Sequence, residues 1–267
     1  MPLWILATPI GTLDDLSPRA REVFGHAAVV AAEDTRVTRR LLSACGVPCP
    51  PLVALHAHNE AEVSGALAAR AVEEDVVLVS DAGTPGVSDP GRVLVEACHA
   101  LGVRTLSVPG PSALAAALAA SGLPAAPSSF LGFPPRKGRD RWAQEVLRRP
   151  ETLVFYEAPG RITATVTALA AVSPERVAVL CRELSKRFEE NLRLPLADLA
   201  SNLTARATVK GECVLVVGPG QAAEPEAPRA EVDDGASLKQ IAAVLAERWG
   251  VTRREAYQRL LKVEAGD

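Results

Sequence analysis

Residues Val76–Cys98 read VVLVSDAGTPGVSDPGRVLVEAC, and their reading decides the fold. An apolar, β-branched run (Val76–Val79) enters a turn of Asp, Gly, Pro and Ser, and a segment of helical length, Gly91 to Leu101, follows. Strand, polar turn and helix in that order make the unit of a parallel α/β sheet, whose ligands sit where a strand has ended and its crossover helix has not begun. The usual phosphate signatures are missing from the turn, which has neither G-x-G-x-x-G nor G-x-x-x-x-G-K-[ST]. Its charged residues, Asp81 and Asp89, would repel a pyrophosphate. Hydroxyls, an ammonium or another cationic ligand suit such a loop better, and a tight crossover without a ligand is the alternative.

Working outward, similar runs begin at Leu3 (LWILAT), Ala27 (AAVVAAED), Pro51 (PLVALH) and Arg104 (RTLSVPG). Between them lie stretches of helical length: Ser17 to Phe24, with Ser17 capping Pro18, and Glu60 to Val72. This alternation predicts a parallel or mostly parallel sheet with helices on its faces. After an Ala-rich helix, Ser112 to Ala120, the segment SGLPAAPSSFLGFPPRKGRDR breaks the rhythm and reads as a domain junction. Further strands follow at Glu151, Arg176 and Gly211, with a helix from Ile162 to Ala171. Two consecutive α/β domains are therefore expected, residues 1–112 and 113–218.

Residues 219–236 carry five acids against one base and read as an acidic linker. Residues 237–267 hold six basic and four acidic residues, with one helix ending at Gly250 and a second capped by Thr252. They suggest either a small helix-turn-helix module or a helical hairpin packed on the body.

The 267 residues are 48% hydrophobic and 23% charged, which excludes a disordered or fibrous chain. No apolar run of about 18 residues is present to span a bilayer. The start, MPLWILATPIG, reads as a first strand and not as a signal peptide, so a cytoplasmic protein is expected. The five cysteines form no C-x-x-C pair, and small buried thiols are expected in place of a metal site. A net charge of −3 neither requires nor forbids a nucleic-acid partner.

Several polar clusters are candidates for chemistry. AAEDTRVTRR places Glu33, Asp34 and Arg36 past a strand, where paired acids serve acid/base work or simply cap a helix. LHAHNE puts His56 and His58 on one face if its strand runs that far, as a polar rim facing a substrate. VPGPSA sets Ser112 at a helix start, where free N–H groups hold a carboxylate or the serine caps the helix. Tyr156, Glu157, Glu183 and Glu212 lie at further strand ends. FPPRKGRDR contributes Arg136, Lys137, Arg139 and Arg141 in a loop predicted to be mobile, either solvated or in contact with phosphates.

Taken in order, TPIGTLDDLS, AAEDTR, LHAHNE, VSDAGTPGVSDPG, VPGPSA, LGFPPRKG, FYEAPGR, CRELSK and KGECVLVV resemble the motif series of the tetrapyrrole methylase superfamily. The resemblance runs from Leu3 to about Gly218 and is nearest to the branch that acts on small-subunit ribosomal RNA, whose small C-terminal domain the tail is similar to. It implies two α/β domains with S-adenosylmethionine in the cleft between them, a homodimer, and methyl transfer to the 2′-hydroxyl of a decoding-region cytidine in 16S rRNA. The 30S subunit or its rRNA would be the partner, with no DNA and no membrane. Cofactor contacts carried over are Ile10, Gly11, Asp81, Gly83, Thr84, Ser112, Ala113, Tyr156, Leu184 and Glu212. Thr12 stands where the family pattern suggests Asn. Asp34 is the expected proton acceptor, with Glu33 and Arg36 shaping the site and His58 as another candidate. Arg136, Lys137, Arg139, Arg253 and Arg254 are the expected RNA contacts, and no metal is expected. A small-molecule, precorrin-type methyltransferase and a non-catalytic S-adenosylmethionine-sensing RNA-binding regulator are the alternatives.

Overall fold

The β-branched runs of the N-terminal half become five parallel strands: β1 (Pro2–Leu6), β2 (Val29–Ala32), β3 (Leu52–Ala54), β4 (Val76–Val79) and β5 (Arg104–Val108). Their order is β3-β2-β4-β1-β5. The runs are continuously apolar because both faces are covered. On one face Leu3, Val29, Ala31, Val76 and Leu78 pack with α3 (Glu60–Arg70) and α4 (Arg92–Ala100). On the other, Val30, Ala32, Val77 and Val79 pack with α1 (Pro18–His26) and α2 (Thr35–Ala44). Ser17 caps α1 through Ala20 N–H, as its position before Pro18 predicts.

A second sheet has the order β6-β7-β10-β8-β9, from β6 (Ser128–Phe130), β7 (Thr152–Glu157), β8 (Val177–Arg182), β9 (Glu190–Pro195) and β10 (Cys213–Val217). Only β6 and β7 run parallel; the remaining pairs are antiparallel. α6 (Arg139–Val146), α7 (Pro159–Val172) and α8 (Leu196–Thr204) bury one face. The Ala-rich α5 (Ala113–Ser121) lies on the other through Ala117, against Val154, Val179 and Val214.

The computed structural model describes residues 1–220, 237–249 and 251–265, and the chain divides into two units, Met1–Gln221 and Ala222–Asp267. In the second unit, α9 (Leu238–Trp249) and α10 (Arg253–Ala265) pack through Ala242, Leu245, Ala246 and Ala256. α9 begins with Ser237 donating through its N–H and Oγ to Gln240 Oε1, and α10 with a reciprocal cap, Thr252 N–H donating to Glu255 Oε2 and Glu255 N–H donating to Thr252 Oγ1. Most of the expected linker, from Gln221 to Ala236, and Gly250 lie outside the described residues. Among the described residues no helix is long and apolar enough to cross a membrane.

The junction and loop readings need correction. Residues 128–130 of the junction are a strand, and Arg139 and Arg141 open α6. The FPPRKG loop is tied down, because Arg161 donates to the carbonyls of Pro134 and Pro135 at 2.6 and 3.0 Å.

Candidate functional site

A cavity of about 280 Å³ opens where β1, β4 and β7 end and β10 begins. From the first sheet come Ile10, after β1, and Ala82, Gly83, Thr84, Val87 and Asp89, after β4. Ser112 and Ala113 at the start of α5 join them, as do Phe133, Tyr156–Pro159 and Glu212–Val214 from the second sheet's side.

Backbone hydrogen bonds hold the β4 loop to its neighbour. Thr8 N–H donates to Gly83 O at 2.9 Å and Gly83 N–H returns to Thr8 O at 3.0 Å, with Gly83 at φ +83°. This left-handed conformation is why a glycine stands there. Thr84 Oγ1 donates to Pro111 O at 3.2 Å, which ties the loop to the exit of β5. Tyr156 ties β7 to the start of α5: its Oη accepts Leu114 N–H at 3.1 Å, and its ring meets Phe130 and Phe133 edge-on.

Beside the cavity the ends of β2 and β4 share their carboxylates. Asp81 Oδ1 accepts Asp34 N–H at 3.0 Å, and Glu33 Oε2 accepts Asp81 N–H at 3.3 Å. Partial burial, with neighbouring carboxylates, pushes Glu33 and Asp81 above the usual range. Asp89 goes further, to about 6, chiefly by burial and then by the charges of Glu33 and Asp81. Asp34 moves the opposite way because Arg36 binds both its oxygens, at 3.0 and 2.6 Å. Asp34 Oδ1 also accepts Arg36 N–H at 2.8 Å, so Asp34 is the cap of α2, one of the two readings its sequence position allows. A carboxylate held this way is a weak proton acceptor.

Glu157, buried at the cavity wall, accepts from Thr165 Oγ1 at 2.6 Å and Ala158 N–H at 2.9 Å. Glu212 meets Lys186 Nζ at 2.9 Å, and the same ammonium binds Glu183. Burial lifts the Cys213 thiol to about 11, so this wall residue stays protonated at neutral pH.

Of the expected cofactor residues, Ile10, Gly83, Thr84, Ser112, Ala113, Tyr156 and Glu212 line the cavity, whereas Gly11, Asp81 and Leu184 do not. Gly11 lies against Ser185 and Lys186, Asp81 braces Asp34, and Leu184 is buried in the core with Ile10 and Tyr156. Glu33, Asp34 and Arg36 stand just past the end of β2, outside the lining.

His58 and His56 are exposed and also outside it. Strand β3 ends at Ala54, short of both, so the shared strand face expected for them does not form. LHAHNE works instead as a brace: Asn59 Oδ1 accepts His56 N–H, while Glu60 Oε1 caps α4 by accepting from Gly91 N–H and Val93 N–H at 2.7 and 2.9 Å. Among the described residues no group of three His, Cys, Asp or Glu side chains is arranged to hold a metal. Arg136, Lys137, Arg253 and Arg254 are exposed, while Arg139 is half-buried.

Sequence reading missed Ala82, Val87, Asp89, Phe133, Glu157, Ala158, Pro159, Cys213 and Val214 as cavity residues. Asp89 had a signal, as the second acid of the turn that lacks a phosphate signature.

Comparison with known proteins agrees with this architecture. Residues 2–200 match the family of Tetrapyrrole (Corrin/Porphyrin) Methylases. A protein of Pseudomonas aeruginosa named ribosomal RNA small subunit methyltransferase I is 46% identical, over 97% of this chain and 96% of its own. Its namesake from Mesorhizobium japonicum is 41% identical, over 98% and 92%. The crystal structure of uroporphyrin-III C-methyltransferase from Thermus thermophilus, complexed with S-adenosyl homocysteine, superposes with a TM-score of 0.57 at 22% identity, covering 82% of this chain and 97% of that one. With the family match over residues 2–200 and 46% and 41% identity over nearly the whole chain, the chain belongs to the tetrapyrrole methylase family, in its ribosomal RNA small subunit methyltransferase I branch.

Proposed function

We propose that this protein transfers a methyl group from S-adenosylmethionine to the 2′-hydroxyl of a decoding-region cytidine in 16S rRNA, with the 30S subunit or its rRNA as substrate. One observation carries the choice of substrate. The relatives named for small-subunit ribosomal RNA align over 97% and 98% of the chain, and so include the α9–α10 unit, whereas the match to the uroporphyrin enzyme covers 82%. A diffusible macrocycle has no use for an appended basic helix pair, whereas an RNA substrate does.

The cavity fits the cofactor chemically. S-adenosylmethionine bears a sulfonium, an ammonium, a carboxylate and ribose hydroxyls, and no phosphate. The lining offers apolar contacts from Ile10, Ala82, Ala113 and Val214, hydroxyls from Thr84 and Ser112, and a carboxylate from Glu212. Ile10, Gly83, Thr84, Ser112, Ala113, Tyr156 and Glu212 would hold the cofactor, with Gly11, Asp81 and Leu184 supporting the walls from behind. Bound there, it supplies an activated methyl group. The chain's own part is to align the incoming hydroxyl, exclude water and accept its proton. Arg136, Lys137, Arg139, Arg253 and Arg254 would meet RNA phosphates, which position the substrate without reading its sequence. We place the protein in the cytoplasm, as a homodimer of chains divided at residues 112, 218 and 236.

The test is transfer of labelled methyl to purified 30S subunits from a strain lacking the enzyme, followed by nucleoside analysis. Labelled 2′-O-methylcytidine is expected. Label on a tetrapyrrole in place of RNA would support the precorrin-type reading, and cofactor binding with RNA retention but no transfer would support a regulator.

A further inference from the structure

Among the carboxylates at or beside the cavity, most are already committed. Asp34 is held by Arg36, Glu157 by Thr165 and Ala158 N–H, and Glu212 by Lys186. Glu33 and Asp81 accept main-chain N–H groups and stand outside the lining. Asp89 differs in kind. It lines the cavity and is half-buried. It forms no ion pair among the described residues. The residue before it, Ser88, is held at φ +69°, a left-handed conformation unusual for serine, and such backbone conformations cluster at functional sites.

We propose that Asp89 is the catalytic proton acceptor for the ribose hydroxyl, an assignment that rests on the reading of the cavity as a 2′-O-methylation site. The groups around it are the carboxylates of Glu33 and Asp81 at the ends of β2 and β4, Tyr156 and Glu157 at the end of β7, and Glu212 and Cys213 at the start of β10. Burial, with the charges of Glu33 and Asp81, holds Asp89 at about 6, where it is mostly ionised at pH 7 yet far more basic than an ordinary aspartate. Burial keeps both the Tyr156 phenol and the Cys213 thiol protonated at that pH. In the step, the 2′-oxygen forms its bond to the methyl carbon while the carbon–sulfur bond breaks and its electron pair goes to sulfur. The hydroxyl proton passes to an Asp89 oxygen and from there to water.

The test compares wild type with Asp89→Asn and Asp89→Glu. Calorimetry with S-adenosylmethionine and with S-adenosylhomocysteine reports the cofactor site and the fold, and methyl transfer to 30S subunits reports the chemistry. Asp89→Asn is expected to leave both affinities within about twofold while lowering kcat by about 10²-fold or more. Its acidic limb of kcat near pH 6 should vanish, and Asp89→Glu should recover part of the rate. In the free protein, a carbon-13 carboxyl resonance titrating near pH 6 should disappear in Asp89→Asn. Undiminished kcat in Asp89→Asn overturns the proposal. So does loss of S-adenosylmethionine affinity with S-adenosylhomocysteine affinity kept, which makes Asp89 a counter-charge to the sulfonium, and so does loss of both in a protein that still melts cooperatively. Wild-type protein that binds cofactor and leaves 30S ribose unmethylated removes the reading of the cavity itself, and the proposal with it.

Discussion

Asp34 and Asp89 show how little an acid's identity says before its partners are known. Both follow apolar strands, yet Arg36 lowers the pKa of one while burial and two carboxylates raise the other. Asp34→Ala should therefore cost about 1 kcal/mol in chemical denaturation, because it removes the cap of α2. Asp34→Asn keeps a capping oxygen and should hold that stability along with methyl transfer. For Asp89 the sign is opposite. A carboxyl whose folded pKa lies above its ordinary 3.8 binds its proton more tightly in the folded state, so stability falls as pH rises from that value toward about 6. Asp89→Asn should match wild type near pH 3.5 and melt higher above pH 6, by the equivalent of about 1–2 kcal/mol. A variant melting lower throughout would show that Asp89 makes a favourable contact when charged. The sequence named both acids of the turn, but the one it favoured for the cofactor, Asp81, turns its carboxylate away to the backbone of Asp34.

Elements depend on close approaches that the sequence marks only faintly. Gly11 follows β1 where the loop after β8 crosses it, and a Cβ there would lie 2.8 Å from the Ser185 carbonyl and 2.6 Å from Lys186 Cγ. Thr12 fastens the same crossing, donating through Oγ1 to Ser185 O at 2.6 Å. Gly11→Ala should push the two segments apart and cost about 1–3 kcal/mol, read as a lower thermal midpoint with weaker cofactor binding. Arg176 has a comparable role at the other end of the second sheet. Its buried guanidinium donates to the carbonyls of Gly218, Leu147, Arg149 and Glu151. Arg176→Met strands these acceptors and should destabilise by about 2–3 kcal/mol, measurable by denaturant unfolding. Strands buried on both faces were legible as apolar runs, as β4 and β10 illustrate. β9 was not, because ENLRLP sits at an edge with exposed Asn191 and Arg193 alternating with half-buried leucines. β6 has only three residues, and its partner β7 confers its strand character.

At the scale of the molecule, α9 and α10 belong to a compact unit of their own, and the cavity to the other. It presents exposed Arg253 and Arg254 at the start of α10. Deleting residues 237–267 should lower 30S affinity by about tenfold or more and flatten its salt dependence, with cofactor affinity in calorimetry unchanged. Equal loss of both would mean that the helices complete the body's fold. By itself the sequence determined the parallel first sheet, the lack of a phosphate signature in the loop after β4, the capped helix pair at the end and the family, because these rest on local periodicity, turn chemistry and ordered motifs. Tertiary structure alone decided that the second sheet is mainly antiparallel, that α5 packs on it, and that Asp89 faces the cavity while Asp34, Asp81 and the two histidines do not. Strand pairing and the direction of a side chain depend on contacts between segments far apart in the chain, and no local pattern encodes them.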